Sequence, residues 1–216
     1  PGRDETLAPV RNPATVEAVK ARYGITGDYF LYLGTLQPRK NLSRLITAFA
    51  TLEPGTVLVL AGKRGWLYKD LLAQVRRLGL EVPALSGIEG PALSGAEGRV
   101  LFPGYVPDED KAALLSGALA FAFPSLYEGF GLPVLEAQAC GCPVITSTTS
   151  SLPEVAGDAA LLVDPSDTAA IAARMQQIAS DPALRETLIE RGFAGPIEEA
   201  MTKCAQSGLS NVRFLI

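Results

Sequence analysis

Histidine is absent from the 216-residue chain. That removes the usual neutral-pH general base and every triad built on an imidazole, so any catalysis here runs on other groups. Cysteine is scarce and odd in number: Cys140, Cys142 and Cys204. Cys140-Gly-Cys142 is spaced too closely for a relaxed disulfide, and it lacks the second pair that a zinc site needs. Its thiols read as buried and reduced, as in a cytoplasmic protein. There is no basic excess: 19 Lys and Arg face 23 Asp and Glu, a net charge of −4, which argues against wrapping nucleic acid. No apolar run approaches the roughly 18–20 residues of a membrane helix. No signal peptide is visible, although the chain begins at Pro1 without a methionine. No Gly-x-Gly-x-x-Gly follows a strand and no Walker-type lysine motif occurs, so hydride transfer and P-loop hydrolysis lose ground.

What the chain does contain is a steady alternation. Apolar or aromatic runs at Tyr29–Leu33, Thr56–Ala61, Arg99–Phe102, Ala118–Phe123, from Pro143 through Thr146, and at Ala159–Val163 read as strands. Between them, helical patterns run Pro13–Tyr23 behind an Asn12 cap, from Leu42 with Leu45, Ile46 and Phe49 on one face, and Trp66–Leu78. More follow: a helix capped by Asp108 through Ser116, then Pro133–Ala139 and Ser151–Ala156. The last two are Thr168–Ser180 behind Asp167, and one opened by Asp181-Pro182 that runs to about Glu190. Strands that are apolar throughout imply helices on both faces. The expected fold is therefore α/β, a doubly wound parallel sheet of about six strands.

In such sheets ligands bind beyond the carboxyl ends of the strands. That selects four loops: Gly34–Lys40, Gly62-Lys63, Gly104–Pro107 and Glu128–Leu132. Arg39 and Lys40 beside glycine suit a diphosphate, one as a fork and one as a point charge, or they are simply solvated loop cations. In the fourth loop, Gly129, Phe130, Gly131 and Leu132 precede a helix start at Pro133, where free backbone N–H groups favour an anion or sugar hydroxyls. Glu128 and Glu136 flank that start. They could be an acid/base pair, surface charges or hydroxyl acceptors. Seven residues with a proline-started helix between them put the two on different faces, which favours acceptors for two parts of one ligand. For Glu136 a plain dipole-complementing role in the first helical turn stays open.

Two stretches break the pattern. Pro83–Gly90 is followed by a near copy, Pro91–Gly98, differing only at Ile88 and Ala96. Two units this short cannot stack into a repeat fold, so 83–98 is expected to be an inserted surface loop. Residues 193–216 lose helical rhythm at Gly195-Pro196 and read as an atypical tail, leaving 1–192 as the domain.

Pro124-Ser-Leu-Tyr-Glu-Gly-Phe-Gly-Leu-Pro-Val-Leu-Glu-Ala137 resembles the signature of glycosyltransferase family 4, the group 1 glycosyltransferases. Leu33–Asn41, Phe102–Pro107 and Ser151–Asp158 resemble that family's text as well. The resemblance covers about residues 1–192 apart from the duplicated insert. It implies a Rossmann-like donor-binding domain, the C-terminal half of a GT-B fold, in a retaining enzyme that transfers sugar from a UDP-, GDP- or ADP-sugar. By carry-over Glu136 would take the ribose hydroxyls and Glu128 the donor sugar's hydroxyls. Gly129–Leu132 would face sugar and phosphates, Lys40 would neutralise the leaving diphosphate, and the turn Tyr105-Val106 would meet the base. Gly34, Thr35, Gly62 and Lys63 complete the expected donor site, and Lys40, Arg39 and Glu128 the expected catalytic set. Thr35 stands where many members have an arginine; here the arginine is Arg39. The resemblance implies no metal and no protein nucleophile. The acceptor, a sugar, lipid or glycan, would be met through an N-terminal lobe that this chain lacks. A cytoplasmic location follows, with peripheral contact at the inner membrane face as a variant. The competing readings are a non-catalytic nucleotide-sugar or subunit-pairing module, able to dimerise through an exposed cleft face, and an isomerase of sugar phosphates, for which no acid/base pair can be placed.

Overall fold

The computed structural model of the chain describes residues 7–66, 68–81 and 99–194. The duplicated stretch 83–98 and the tail from 195 onward, Cys204 included, lie outside those residues. In chain order the elements are α1 (Pro13–Arg22), β1 (Asp28–Leu33), α2 (Leu42–Ala50), β2 (Thr56–Ala61), α3 (Tyr68–Arg77), β3 (Val100–Gly104) and α4 (Asp108–Ser116). There follow β4 (Ala120–Phe123), α5 (Leu132–Ala139), β5 (Val144–Ser147), α6 (Leu152–Ala156), β6 (Ala160–Val163), α7 (Thr168–Ser180) and α8 (Pro182–Ala194).

All six strands are parallel, in the spatial order β3-β2-β1-β4-β5-β6. The winding direction reverses between β1 and β4, so a crevice opens above their carboxyl ends. Helices cover both faces, which is why Phe30, Leu31, Tyr32, Leu58, Val59, Leu60, Phe121 and Phe123 are all fully buried irrespective of strand alternation. Stacked rings of Tyr32, Phe123 and Phe121 run along the floor of that crevice.

Glycines let the strand ends approach one another. A Cβ on Gly62 would lie 1.9 Å from the carbonyl oxygen of Gly34, and its φ of +142° is a further bar to a side chain. Thus the loops after β1 and β2 can close on each other at backbone distance.

Some element ends differ from expectation. Asp108 is the first residue of α4 and does not cap it; Pro107 holds the cap position. Asp108, Glu109 and Asp110 instead place three acids in the first turn, where they complement the helix dipole. Trp66 lies outside α3 and is 86% exposed. α5 begins one residue earlier, at Leu132, so Glu136 falls beyond its first turn. The dipole-complementing role is thereby weakened, since that effect fades after one turn. α8 runs on to Ala194, and its Gly192 faces Gln138 of α5. The Asp167 cap is as expected, its Oδ1 accepting from the Ala170 N–H at 2.9 Å. Asp167→Ala is expected to lower stability by about 1 kcal/mol, as measured by urea unfolding.

Candidate functional site

The loop after β1 turns tightly through a 3-10 turn, Pro38–Lys40, and then Asn41 adopts a left-handed conformation with φ of 60°. Asn41 is buried, and its Nδ2 donates to the carbonyls of Pro124 (3.0 Å) and Pro165 (2.6 Å). The Leu126 N–H donates to the Arg39 carbonyl at 2.9 Å. These bonds lay Arg39 and Lys40 along the loop that follows β4.

The two cations meet one carboxylate there. Lys40 Nζ donates to Glu128 Oε1 at 2.5 Å, and Arg39 Nη1 lies 2.7 Å from Oε2. The same Arg39 nitrogen donates to the Tyr127 carbonyl at 2.8 Å. Lys40 Nζ also sits 4.5 Å from the centre of the Phe123 ring. Lys40 and Glu128 are only 7% and 8% exposed, whereas the Arg39 side chain is 44% exposed. Burial pushes the Lys40 ammonium below its usual range, against the opposing pull of Glu128. Burial would raise the Glu128 carboxyl, but the hydrogen bonds from Lys40 and Arg39 outweigh it and hold the group low. Two positive charges and one negative leave an excess of one positive charge at the mouth of the crevice. The arrangement is suited to receive a further anion.

Beyond Glu128 the chain passes through Gly129, Phe130 and Gly131 into α5. Among the described residues, no protein acceptor takes the N–H groups of Gly129, Phe130, Gly131 or Leu132. Gly131 has φ of 101° and would crowd Leu152 with a side chain, so the loop sits directly on α6. One turn into α5, Glu136 is half-buried. Its carboxyl is raised chiefly by burial, with Lys111 opposing and Asp108 adding to the rise. Lys111 of α4 forms a 2.6 Å ion pair with Asp108. Burial alone would lower the Lys111 ammonium, but Asp108 and Glu136 raise it.

The remaining predicted residues line the rim. Gly62 donates through its N–H to the Gly104 carbonyl (2.7 Å), and Leu36 to the Lys63 carbonyl (2.9 Å). Three loops are thus laced together. Gly34 belongs to that lacing through its N–H to the Ala61 carbonyl, and Thr35 is exposed beside it, accepting from the Tyr32 hydroxyl at 3.0 Å. Lys63 Nζ lies 5.7 Å from the Tyr105 ring centre, and Tyr105 is 59% exposed. Val106 is 3% exposed, so its side chain belongs to the core and only its backbone can face a ligand. Cys140 and Cys142 are free and buried. Burial pushes the Cys140 thiol up to about 12 and the Cys142 thiol higher still, which leaves both unreactive.

Two groups near the site were not anticipated. Lys111 carries no sequence signal, since a lysine on a helix is commonplace. The run Thr146–Ser151 does: six consecutive hydroxyl residues, whose bonds to the Glu128 loop are described below. Among the described residues, no group of three or more His, Cys, Asp and Glu side chains could hold a metal, and no helix is long and apolar enough to cross a membrane.

A cation pair beside free backbone amides at the switch point of a doubly wound α/β sheet is an arrangement whose charge and donors suit a phosphate. The family described as "Glycosyl transferases group 1" matches residues 17–194, and the chain belongs to it. It is 39% identical over 210 residues to the O-antigen chain mannosyltransferase B of Escherichia coli, covering 95% of this chain and 51% of that protein. It is 33% identical over 183 residues to the serotype-specific mannosyltransferase WbdA of the same organism, covering 83% of this chain and 21% of the relative. The chain thus spans about half or less of these relatives. Its fold matches the C-terminal domain of a glycosyl transferase group 1 family protein, LpcC, from Francisella tularensis, with a TM-score of 0.70 at 22% identity over 94% of this chain and 97% of that one. It also matches Anabaena Alr3699/HepE, solved in complex with UDP-glucose, with a TM-score of 0.74 at 22% identity over 92% of this chain and 53% of that one. The architecture is that of one lobe of the GT-B glycosyltransferases.

Proposed function

We propose that this chain is the donor-binding lobe of a retaining glycosyltransferase that moves a sugar, mannose by kinship with its relatives, from a nucleoside diphosphate to a glycan or lipid-linked acceptor. The observation that carries this reading is the meeting of Arg39, Lys40 and Glu128 at the switch-point crevice, with one positive charge in excess. In the ligand-free site Glu128 fills the place of an anion. On donor binding the diphosphate takes Arg39 and Lys40 in its stead, and Glu128 turns to the sugar hydroxyls. The N–H groups of Gly129–Leu132 face the diphosphate and the sugar, and Glu136 accepts from the ribose. Gly34, Thr35, Gly62 and Lys63 wall the diphosphate, and the turn Tyr105-Val106 carries the base.

In the transfer step the bond from the anomeric carbon to the phosphate oxygen breaks, and the bond to the acceptor oxygen forms on the same face. The acceptor's proton passes to the departing phosphate oxygen. The charge that grows on that phosphate is met by Arg39 and Lys40 in a site they already occupy, so little reorganisation is needed. The step as proposed calls on no metal and on no imidazole from this chain.

A binding or subunit-pairing module is the second reading. It is favoured by the exposed aromatic residues Trp66, Tyr105 and Tyr127, which follow β2, β3 and β4 on the cleft side and suit a second lobe or a second copy. Turnover by the 216-residue chain alone would rule this reading out.

Calorimetric titration with UDP, GDP and ADP and their sugars tests the proposal. At least one pair is expected to bind, and Glu136→Ala is expected to weaken nucleotide binding about tenfold to a hundredfold by removing two hydroxyl contacts. Absence of binding to all of them would sink the donor-lobe reading.

A further inference from the structure

The hydroxyl run after β5 is turned toward the loop that carries Glu128. Thr146 Oγ1 donates to the Phe123 carbonyl at 3.0 Å, and Ser147 Oγ to the Ser125 carbonyl at 2.6 Å. Thr149 Oγ1 shares that Ser125 carbonyl at 3.3 Å. Ser150 Oγ accepts from the Glu128 N–H at 3.1 Å. Ser151 Oγ donates to the carbonyls of Phe130 (2.8 Å) and Glu128 (3.2 Å). Five of the six hydroxyls in Thr146–Ser151 therefore hold backbone groups between Phe123 and Phe130.

The last two of these serines forgo what local structure favours. Ser150 has φ of 53°, a left-handed conformation that disfavours a side chain. Ser151 occupies the N-cap position of α6, where a serine hydroxyl ordinarily bonds an N–H of the helix's first turn, yet it makes no such bond. Its hydroxyl reaches across to the Glu128 loop instead. A strained backbone and an unused cap at adjacent residues, both resolved by bonds to one loop, mark a local structure shaped by that loop.

We infer that Ser150 and Ser151 are positioning residues for the donor sugar: they clamp the peptide units on both sides of Glu128 so that its carboxylate is held for the sugar's hydroxyls. The inference rests on the donor-lobe reading. Lys40 and Arg39 fix the tip of the Glu128 side chain, but only while no diphosphate competes for them. Once the diphosphate has taken both cations, the two serines still hold the backbone of that residue on both sides. A role of this kind belongs to the sugar-bound state, and nucleoside diphosphate alone does not draw on it.

Ser150→Gly separates positioning from stability. Glycine relieves the left-handed backbone while losing one hydrogen bond, and these are similar in size and opposite in sign. The melting temperature is expected to stay close to wild type. Paired titrations with UDP and UDP-glucose, and with GDP and GDP-mannose, are expected to show unchanged diphosphate affinity. The extra affinity contributed by the sugar should fall by roughly tenfold, the worth of one well-placed hydrogen bond. Ser151→Ala should behave alike, and Ser151→Thr should restore the sugar increment. Hydrogen exchange on the unliganded chain gives a readout that needs no ligand. The Glu128 amide should exchange roughly tenfold faster in Ser150→Gly, with the amides of β4 and β5 unchanged. Parallel weakening of diphosphate and nucleotide sugar together with a lower melting temperature would reduce the serines to structural residues and overturn the inference. An unchanged Glu128 amide would overturn it as well. If the wild-type chain bound neither ligand of either pair while the amide behaved as expected, the clamp would stand and the donor-lobe reading would fail.

Discussion

Glu128→Gln is expected to move binding and transfer in opposite directions. Glutamine keeps the shape of the side chain and removes its charge, so Arg39 and Lys40 lose the carboxylate that now holds them at 2.7 and 2.5 Å. The local charge rises from one positive in excess to two. A nucleoside diphosphate no longer competes with an internal anion, and its affinity should increase roughly tenfold, equivalent to about 1.4 kcal/mol. The transfer step loses a charged acceptor for the donor's hydroxyls at the reacting sugar, and kcat should fall on the order of a hundredfold to a thousandfold. Calorimetry with the nucleoside diphosphate, beside a transfer assay on the proposed two-lobe enzyme, would read both. If affinity and rate fell together, Glu128 would be a plain structural partner of the two cations and not a stand-in for the donor's phosphates.

That prediction depends on a contact that sequence could suggest only in part. The sheet was legible because its strands are short apolar runs, three of them closed by Gly34, Gly62 and Gly104, and because α2 repeats apolar residues at three and four. Gly34, Gly62 and the Glu128–Leu132 loop could be located by the rule that ligands gather at the carboxyl ends of such strands. The convergence of Arg39 and Lys40 on Glu128 could not, because the partners stand 88 residues apart and meet only once β1 and β4 are adjacent. Sequence divided them into cations for phosphate and a carboxylate for sugar, and the ligand-free fold joins them. Lys111 was invisible for the same reason, since its charge matters only where α4 brings it near Glu136. The Thr146–Ser151 run was visible as composition but carried no assignment, because nothing in a line of hydroxyl residues says which backbone they will bond. Asp108 misled in another way. Its side chain looks like a cap, but Pro107 has the extended backbone that the cap position requires.

Lys40→Met should carry the larger cost to the fold. Lys40 and Glu128 are buried together, and a buried pair broken on one side leaves a charge without its closest compensation; such losses run about 3–5 kcal/mol. Arg39 remains, half-exposed, so the lower end of that range is expected. Lys40→Met combined with Glu128→Leu should recover much of the loss, because apolar replacement of both partners removes the stranded charge along with the bond. The sign with pH follows from the two shifts. Glu128 is held below its usual range in the folded chain, so its contribution is present above the unfolded carboxylate value of about 4.3 and is lost as pH falls through the folded value. Lys40 is held below its usual range as well, so its burial costs stability at neutral pH and that cost is relieved as pH rises toward about 10.4. The Glu128 and Lys40 contributions should therefore each climb with pH in its own window, while the raised thiols of Cys140 and Cys142 pull the other way above about 8.5. In Lys40→Met the lysine's alkaline gain is missing, so stability relative to wild type should fall as pH rises toward about 10.4. Glu128, still buried but with one cation fewer, should protonate at higher pH, moving the midpoint of acid unfolding upward. Urea unfolding followed between pH 3 and 10 would decide it. An acid midpoint unchanged by Lys40→Met would mean that Arg39 alone holds Glu128, and the phosphate-mimicking role would then belong to the Arg39–Glu128 pair.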